Sequence, residues 1–471
     1  MNPPERQPEN PHGILAEALA ARTPHTFTIQ YPPSRGYFQR AFAGTLPANI
    51  LSRHKRLLLY VHIPFCEQRC FYCNFAVDLR KSRDTHERYA AALSKQLARL
   101  DALVPEDVSV PGIDIGGGTP TRLEADTLEL VLRALEPWRG RLEHQNNAHI
   151  SIETTPSIAA KHPERLAVLR AGGVERISMG VQSTNDETLA MVNRRRQREM
   201  TEKALENLHA AGFKRINVDL VFGLPGQTTE HLLEDLERVV AMGVDSVTTY
   251  DCLYRGKGRI LPGLQSDWPS PVTYAKMYDA AYNLMERAGF SASYGGVNFS
   301  RHADESGTSS YFEKRLLDGM PYLGAGNYAS SAIDASWFFA PYEVDDYVAA
   351  IESGESLPVQ DVYTLPLEER AAKHMLASLN YGIIDPVRFE QSLGTSFMGM
   401  FGDRIAYARE RGWIVASETE GEHPRWHITP GRFDHLYALR ALFYSPRALS
   451  WVQQNLDAIW ESHLESATVE R

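Results

Sequence analysis

The chain has 471 residues, 43% of them hydrophobic and 23% charged, with 49 Lys+Arg against 59 Asp+Glu for a formal charge of −10. This composition excludes a coiled-coil array, a collagenous chain and wholesale disorder, and the acidic balance gives no electrostatic case for nucleic acid or an anionic membrane. Four cysteines are too few for a disulfide scaffold, no apolar stretch reaches membrane-spanning length, and MNPPERQPENPHG is no signal peptide. The chain therefore reads as soluble and cytoplasmic, without nucleic-acid or membrane partners.

In chain order, the Pro-, Asn- and Glu-rich start predicts a disordered arm. A helical pattern at Ile14–Ala21 and an aromatic stretch (Phe27, Tyr31, Tyr37, Phe38) complete an N-terminal extension over 1–50, expected to pack on the main domain. From Leu57 short apolar runs alternate with helical periods. The runs are LLLYVHI (57–63), GIDIGG (112–117), HISIET (149–154), RISMGV (176–181), RINVDLVFGL (215–224) and SVTTYD (246–251). Between them lie helical patterns at Tyr89–Leu103, Ala125–Leu135, Glu164–Arg170, Thr188–Ala211 and Glu230–Met242, with Ala-Gly stops at 171–172 and 211–212. Six strands alternating with five helices predict an α/β fold, a partial (β/α)6 barrel over 51–300. A helix at 272–289 follows, then a barrel-flanking connection over 301–360. Residues 361–471 read as a small helical domain, with helices at 367–380, 386–392 and 399–411 and a two-stranded wing from WIVASE and RWHITP.

The chemistry begins in HIPFCEQRCFYCNF (62–75), where Cys66, Cys70 and Cys73 form a CxxxCxxC run directly after the first strand. Three thiolates from one loop suit a [4Fe–4S] cluster with one iron open to another ligand, because ferredoxin-type clusters take four cysteines. The alternative is a zinc site completed by His62 or His86, although their spacing does not fit the usual pattern. A loop at the carboxyl end of a barrel strand is where active sites form.

With those residues in view, the sequence resembles the radical S-adenosylmethionine (SAM) superfamily. YVHIPFC, IGGGTPT (115–121), SIETTP (151–156), ISMGVQS (177–183), VNRRRQ (192–197) and VDLVFGLPGQT (218–228) are similar, in order and spacing, to the branch containing oxygen-independent coproporphyrinogen III oxidase. The resemblance implies that Cys66, Cys70 and Cys73 bind a [4Fe–4S] cluster whose open iron takes the amino and carboxylate groups of SAM. It further implies cofactor contacts from Tyr60, Tyr72 beside the adenine, Gly117, Gly118, Thr119, Glu153, Gln182, Arg194 in a helical segment, and Asp219. Reductive cleavage of SAM gives a 5′-deoxyadenosyl radical, with an electron donor such as flavodoxin or ferredoxin.

The residues alone leave other readings open. Gly116–Gly118 also suits an ordinary turn. Each polar residue alone could serve a structural salt bridge, and the run Arg194, Arg195, Arg196, Arg198 could be an anion site or a solvated face. Cys252 could be a buried structural thiol or face the substrate. Tyr254, Arg255, Tyr294 and Tyr311 could line a pocket for a planar substrate, while Trp268, Trp337 and Trp413 read as core or cavity wall.

Two departures decide among activities at this level. The coproporphyrinogen oxidase has a further cysteine two residues after the third ligand, where this chain has Phe75. The branch's heme chaperone has an HNxxYW signature where this chain has GTSSYF, so Gly307 and Thr308 replace the His and Asn. The expectation is therefore a class C radical SAM methyltransferase or cyclopropanase, using two SAM molecules to transfer a methyl or methylene group to an sp² carbon of a planar aromatic or heteroaromatic substrate. The alternatives are a tetrapyrrole-acting enzyme, oxidising or degrading, and a heme-binding chaperone.

Overall fold

A computed structural model describes residues 10–22, 27, 31, 35–73, 75–144, 147–194, 198–252, 269–417 and 424–455. Of the arm expected over the first twelve residues, 1–9 lie outside the described residues, as do Arg195, Arg196, Tyr254, Arg255 and Trp268, whereas Pro11 and His12 belong to a helix, Pro11–Arg22, instead of the arm. The six apolar runs form β1 (Leu58–Ile63), β2 (Ile113–Gly117), β3 (Ile150–Thr154), β4 (Val174–Gln182), β5 (Arg215–Phe222) and β6 (Ser246–Asp251). All pair in parallel and in sequence order, as the expected partial barrel requires.

The sheet does not stop at six strands. Antiparallel β7 (Asn298–Ser300) closes one edge against β6. At the other edge β8 (Tyr322–Ala325) runs parallel to β1, and β9 (Ser330–Ile333), β10 (Ser336–Phe339) and β11 (Asp361–Thr364) continue it antiparallel to give eleven strands. Most of the expected helices form within a few residues of their predicted bounds. The exception is Thr188–Ala211, which is two helices, Asp186–Met191 and Arg198–Ala210. The break follows from Asn193, whose φ of 55° lies in the left-handed region and cannot continue a helix. Arg194 consequently lies outside any helix, contrary to the sequence reading.

The strand sequences alternate in a way unusual for a parallel sheet, whose strands commonly read as continuous apolar runs. Leu59, Val61, Ile63, Ile113, Ile115, Ile150, Ile152, Ile177, Met179, Ile216, Val218 and Val247 form the apolar face and are buried. The intervening positions are Tyr60, His62, Asp114, Ser151, Glu153, Arg176, Ser178, Asn217, Asp219, Ser246 and Thr248. The registers align them across the strands: Tyr60 with Asp114, Asp114 with Ser151, Ser151 with Arg176, Glu153 with Ser178, and Gly180 with Asp219 and Thr248. One face of the sheet packs against helices, and the other walls a polar chamber.

The carboxyl-terminal region holds helices Leu367–Ser378, Pro386–Leu393, Phe397–Glu410, Leu436–Leu442 and Pro446–Gln454. Its wing has three strands, because β12 (Ile383–Ile384) joins the expected pair, β13 (Ile414–Ala416) and β14 (Trp426–Ile428). This region reaches the chamber mouth: Phe433 stacks on Tyr278 at 3.8 Å between centroids, and Arg440 and Tyr437 each approach an Asp251 oxygen to 3.4 Å. The N-terminal extension packs chiefly here and on the edge strands. Phe27 and Tyr31 meet Tyr444 edge-on at 5.0 and 4.9 Å, and Phe38 meets Trp337 at 4.9 Å.

One buried carboxyl group ties this junction together. Glu369 accepts from Tyr31 at 2.5 Å, Tyr37 at 2.8 Å and Ser445 at 2.7 Å. Replacing it strands three buried hydroxyls. Glu369→Ala is expected to cost about 2–4 kcal/mol in denaturant unfolding and Tyr31→Phe about 1 kcal/mol. Equal, negligible losses would disprove the tie.

Candidate active site at the carboxyl ends of the parallel strands

The cysteine loop leaves β1 at Pro64 and is pinned on three sides by backbone. Gly118 N–H donates to Ile63 O at 2.9 Å, Thr119 N–H to Phe65 O at 2.9 Å, and Cys66 N–H to Asp78 O at 3.0 Å. On the far side Phe71 N–H donates to Val192 O at 3.0 Å, Gln68 to Asn193 O at 2.9 Å, and Asn193 to Arg69 O at 2.8 Å. The left-handed residue that ends the helix at 193 thus also holds the cysteine loop. Cys66, Cys70 and Cys73 are all half-buried. Burial is the main influence raising the Cys66 thiol to about 12 and the Cys73 thiol above its ordinary range.

Two glycines let the next strand come close. Gly117 has φ 124°, and a Cβ there would lie 2.7 Å from the His62 ring. A Cβ on Gly118 would collide with the Pro64 carbonyl and stand 3.0 Å from Cys66 Sγ. Thr119 Oγ1 lies 3.6 Å from that sulfur. Arg194 bridges the loop and β4: Nη1 donates to Cys70 Sγ at 3.4 Å and Tyr72 Oη at 3.3 Å, while Nη2 donates to Gly180 O. Its Nε is buried and has no hydrogen-bond partner among the described residues.

Along the chamber wall, Gly117 N–H donates to Glu153 Oε2 at 3.2 Å. Burial, reinforced by Asp114 and Asp219, pushes the Glu153 carboxyl up to about 8. Burial also raises Asp114, to about 6, against the pull of Arg176. Asp219 is raised by burial although Ser178 at 2.9 Å and Asn217 at 2.8 Å donate to it. Three carboxyls on one wall with Arg176 among them make a chamber that favours an added cation. Gln182 closes β4 at φ 71°, beside a register shift after Gly180.

The structure brings Cys66, Cys70, Cys73, Tyr72, Gly117, Gly118, Thr119 and Arg194 together at the loop, with Tyr60, Glu153 and Asp219 on the wall below. Cys252 is buried near Tyr72 and Tyr437. The zinc alternative loses its fourth ligand. His62 faces Tyr60 Oη at 3.1 Å and Ala76 O at 3.5 Å, and His86 contacts Arg80 O at 2.9 Å. Among the described residues no three His, Cys, Asp or Glu side chains converge as ligands of a single ion. Sequence reasoning missed Asp114, Arg176 and Asn217. The signal available was the charged or amide residue at every second position of buried parallel strands.

Residues 60–239 match the family profile described as the radical SAM superfamily. They are a radical SAM domain. The chain is 27% identical over 368 residues to the heme chaperone HemW of Bacillus subtilis, covering 76% of this chain and 93% of that protein. It is 27% identical over 423 residues to HemW of Synechocystis, covering 85% and 95%. The oxygen-independent coproporphyrinogen III oxidase of Escherichia coli is 30% identical over 254 residues, 53% of each chain. The solved structure of coproporphyrinogen III oxidase from Escherichia coli, described as a radical SAM enzyme, superposes with a TM-score of 0.68 at 22% identity, covering 86% of this chain and 94% of that one. The chain is thus similar to the branch that holds these heme chaperones and coproporphyrinogen oxidases.

These relatives overturn the methyltransferase or cyclopropanase reading: those matched over most of the chain are heme chaperones, and the shorter matches are coproporphyrinogen oxidases and further heme chaperones. That reading rested on two local departures: Phe75, whose ring is 52% exposed on the cysteine loop, and Gly307 and Thr308 in place of the chaperone's His and Asn. Two local departures do not outweigh the agreement along most of the chain.

The superfamily implies a [4Fe–4S] cluster and SAM, and the local chemistry fits both. Three thiols leave one loop, a glycine cradle beside them would be filled by any Cβ, and Arg194 keeps an unpaired Nε there. Gly118→Ala is expected to lower iron and sulfide per chain several-fold after anaerobic reconstitution, whereas Gly140→Ala, with open space around its Cβ, is expected to load fully. Equal loading would remove the close approach as a requirement. A raised carboxyl pKa in the folded state opposes folding as pH rises from the unfolded value through the folded one. The unloaded protein is therefore expected to lose stability between about pH 4.5 and 8. Glu153→Gln should recover about 1–2 kcal/mol at the upper end, discounted for water in the chamber. An unchanged pH slope in thermal melts would contradict this.

Proposed function

We propose that the chain is a tetrapyrrole-acting radical SAM enzyme. Cys66, Cys70 and Cys73 hold the cluster, Gly117, Gly118, Thr119 and Glu153 hold SAM with its adenine beside Tyr72, and a planar tetrapyrrole occupies the polar chamber under the C-terminal helices. The observation that carries this is the extent of the match to tetrapyrrole-named relatives, 93% and 95% of two heme chaperones and 94% of a coproporphyrinogen oxidase fold. When bound, the cluster and SAM supply a carbon radical able to take hydrogen from a substrate carbon.

The chain's own residues do the rest. Glu153, neutral when unpaired, loses its proton on meeting the SAM ammonium, so binding costs less than bringing a cation into an apolar site. Arg194 fixes Tyr72 and Cys70 in one orientation. Phe433, Tyr437 and Arg440 cover the mouth and limit water there. Two SAM molecules are proposed, as the branch's architecture implies, with Asp219 the anchor for the second. A flavodoxin or ferredoxin is proposed as electron donor.

A second reading, a heme-binding chaperone, is favoured by the HemW matches. Against it, Gly307 sits where the chaperone signature places histidine, and its carbonyl accepts from Arg176 at 3.0 Å. The reconstituted protein with SAM and a strong reductant is expected to form 5′-deoxyadenosine at least ten-fold faster when a porphyrinogen is added, and Cys66→Ala to form none. Stoichiometric heme binding with no stimulated cleavage would replace the enzyme reading with the chaperone one.

A further inference from the structure

Below the SAM wall, at the amino-terminal end of β1, lies a second group of charges that the radical chemistry does not use. Arg315, on the helix Ser310–Leu316, sits with its guanidinium carbon 4.2 Å from the Tyr322 ring centroid and 5.8 Å from that of Tyr311. Its Nη1 and Nη2 each lie 3.4 Å from those two hydroxyls. Lys373, on the helix Leu367–Ser378, places Nζ 3.7 Å over the Trp337 ring. Among the described residues neither cation forms an ion pair with a carboxylate. Of the nearby acids, Asp318 pairs with Lys314 and Arg388, and Asp114, hydrogen-bonded to Ser309 and Ser151 but with its Oδ1 buried and without a partner among the described residues, feels Arg315 without forming an ion pair with it.

Two unpaired cations deep in a protein are costly unless something anionic joins them. Burial, with Arg315 adding to it, lowers Lys373 to about 8. Burial acts upward on Tyr322, but Arg315 and Lys373 outweigh it and bring that hydroxyl down to about 8. The residues line space rather than fill it, since Arg315, Lys373, Trp337 and Tyr60 all keep accessible surface although sheet and helices enclose them. Tyr60 lies between this group and the carboxyl wall, within the field of both Glu153 and Arg315. Leu58, which pairs with Tyr322, precedes the end of β1 by five residues, about 16 Å along the strand.

We propose that Arg315 and Lys373 form a carboxylate-binding subsite at the deep end of the chamber, which receives a carboxylate side chain of the substrate while Tyr60, Tyr311 and Trp337 flank its apolar part. The charge fits a carboxylate that arrives on a planar ring, because guanidinium and ammonium donors converge from two helices onto one aromatic-walled space. The proposal deepens the tetrapyrrole reading by fixing which feature of the substrate is recognised, and it rests on that reading only for the ring.

The test uses the full chain and two volume-conserving variants, Arg315→Gln and Lys373→Met. The probes are a metal-free porphyrin with free propionate side chains, its fully esterified form, and propionate alone, followed by tryptophan fluorescence. Thermal melts and SAM affinity serve as controls for folding. The wild type is expected to bind the free acid at least ten-fold more tightly than the ester, and each variant to lose most of that difference with SAM affinity unchanged. If acid and ester bind alike, or a folded variant binds the acid as the wild type does, the subsite is overturned. If propionate binds in an Arg315-dependent way but neither porphyrin does, the subsite stands and the tetrapyrrole reading fails. If a variant fails to fold, the other one and the acid-versus-ester comparison on the wild type decide.

Discussion

The structure depends on keeping charge inside a parallel barrel. Asp114, Glu153, Asp219 and Arg176 all point into one chamber from adjacent strands, where water is scarce and each carboxyl resists ionisation. Such a wall is stable only if every polar group has a partner or a proton. Ser178, Asn217, Ser246 and Thr248 supply partners in a chain of hydrogen bonds across β4, β5 and β6, and Ser151 accepts separately from Arg176. Protons on the carboxyls supply the remainder. A cationic ligand placed against this wall would favour ionisation of the same carboxyls.

The cysteine loop obeys a different constraint, that of close backbone approach. Gly117 and Gly118 bring the second strand's exit against Pro64 and Cys66, and Asn193 ends a helix so that its own side chain can hold Arg69. Between loop and wall, Arg194 contacts both the Cys70 sulfur and the Tyr72 hydroxyl. Positioning is thus shared by three distant segments, and none of them alone would fix the thiols.

How far the sequence could be read varied with the range of the interaction involved. The six strands and most helices were legible because apolar periodicity is local. The helix break at 193 was not, since Asn is tolerated in helices and only the pull of Arg69 and Gln68 explains its left-handed backbone. The edge strands β8–β11 escaped because short runs such as SSAI and SWFF have no period of their own, and they gain register only from their neighbours, β8 from β1 and the others in turn. Phe75 misled for a similar reason: an absent cysteine says what a loop lacks, whereas the whole chamber decides what it can hold.

By itself the sequence determined the three-thiol loop, its place after the first strand, and the order of the βα units, because each is set by spacing along the chain. Tertiary structure alone decided that Arg194 meets Cys70, that Glu153 is pushed up to about 8, that Glu369 gathers three hydroxyls, and that Arg315 and Lys373 share one pocket. Arg194 lies 124 positions from Cys70, Glu369 lies 338 from Tyr31, and Arg315 and Lys373 stand on separate helices. Their energies come from burial and mutual field, which exist only once the chain has closed around them.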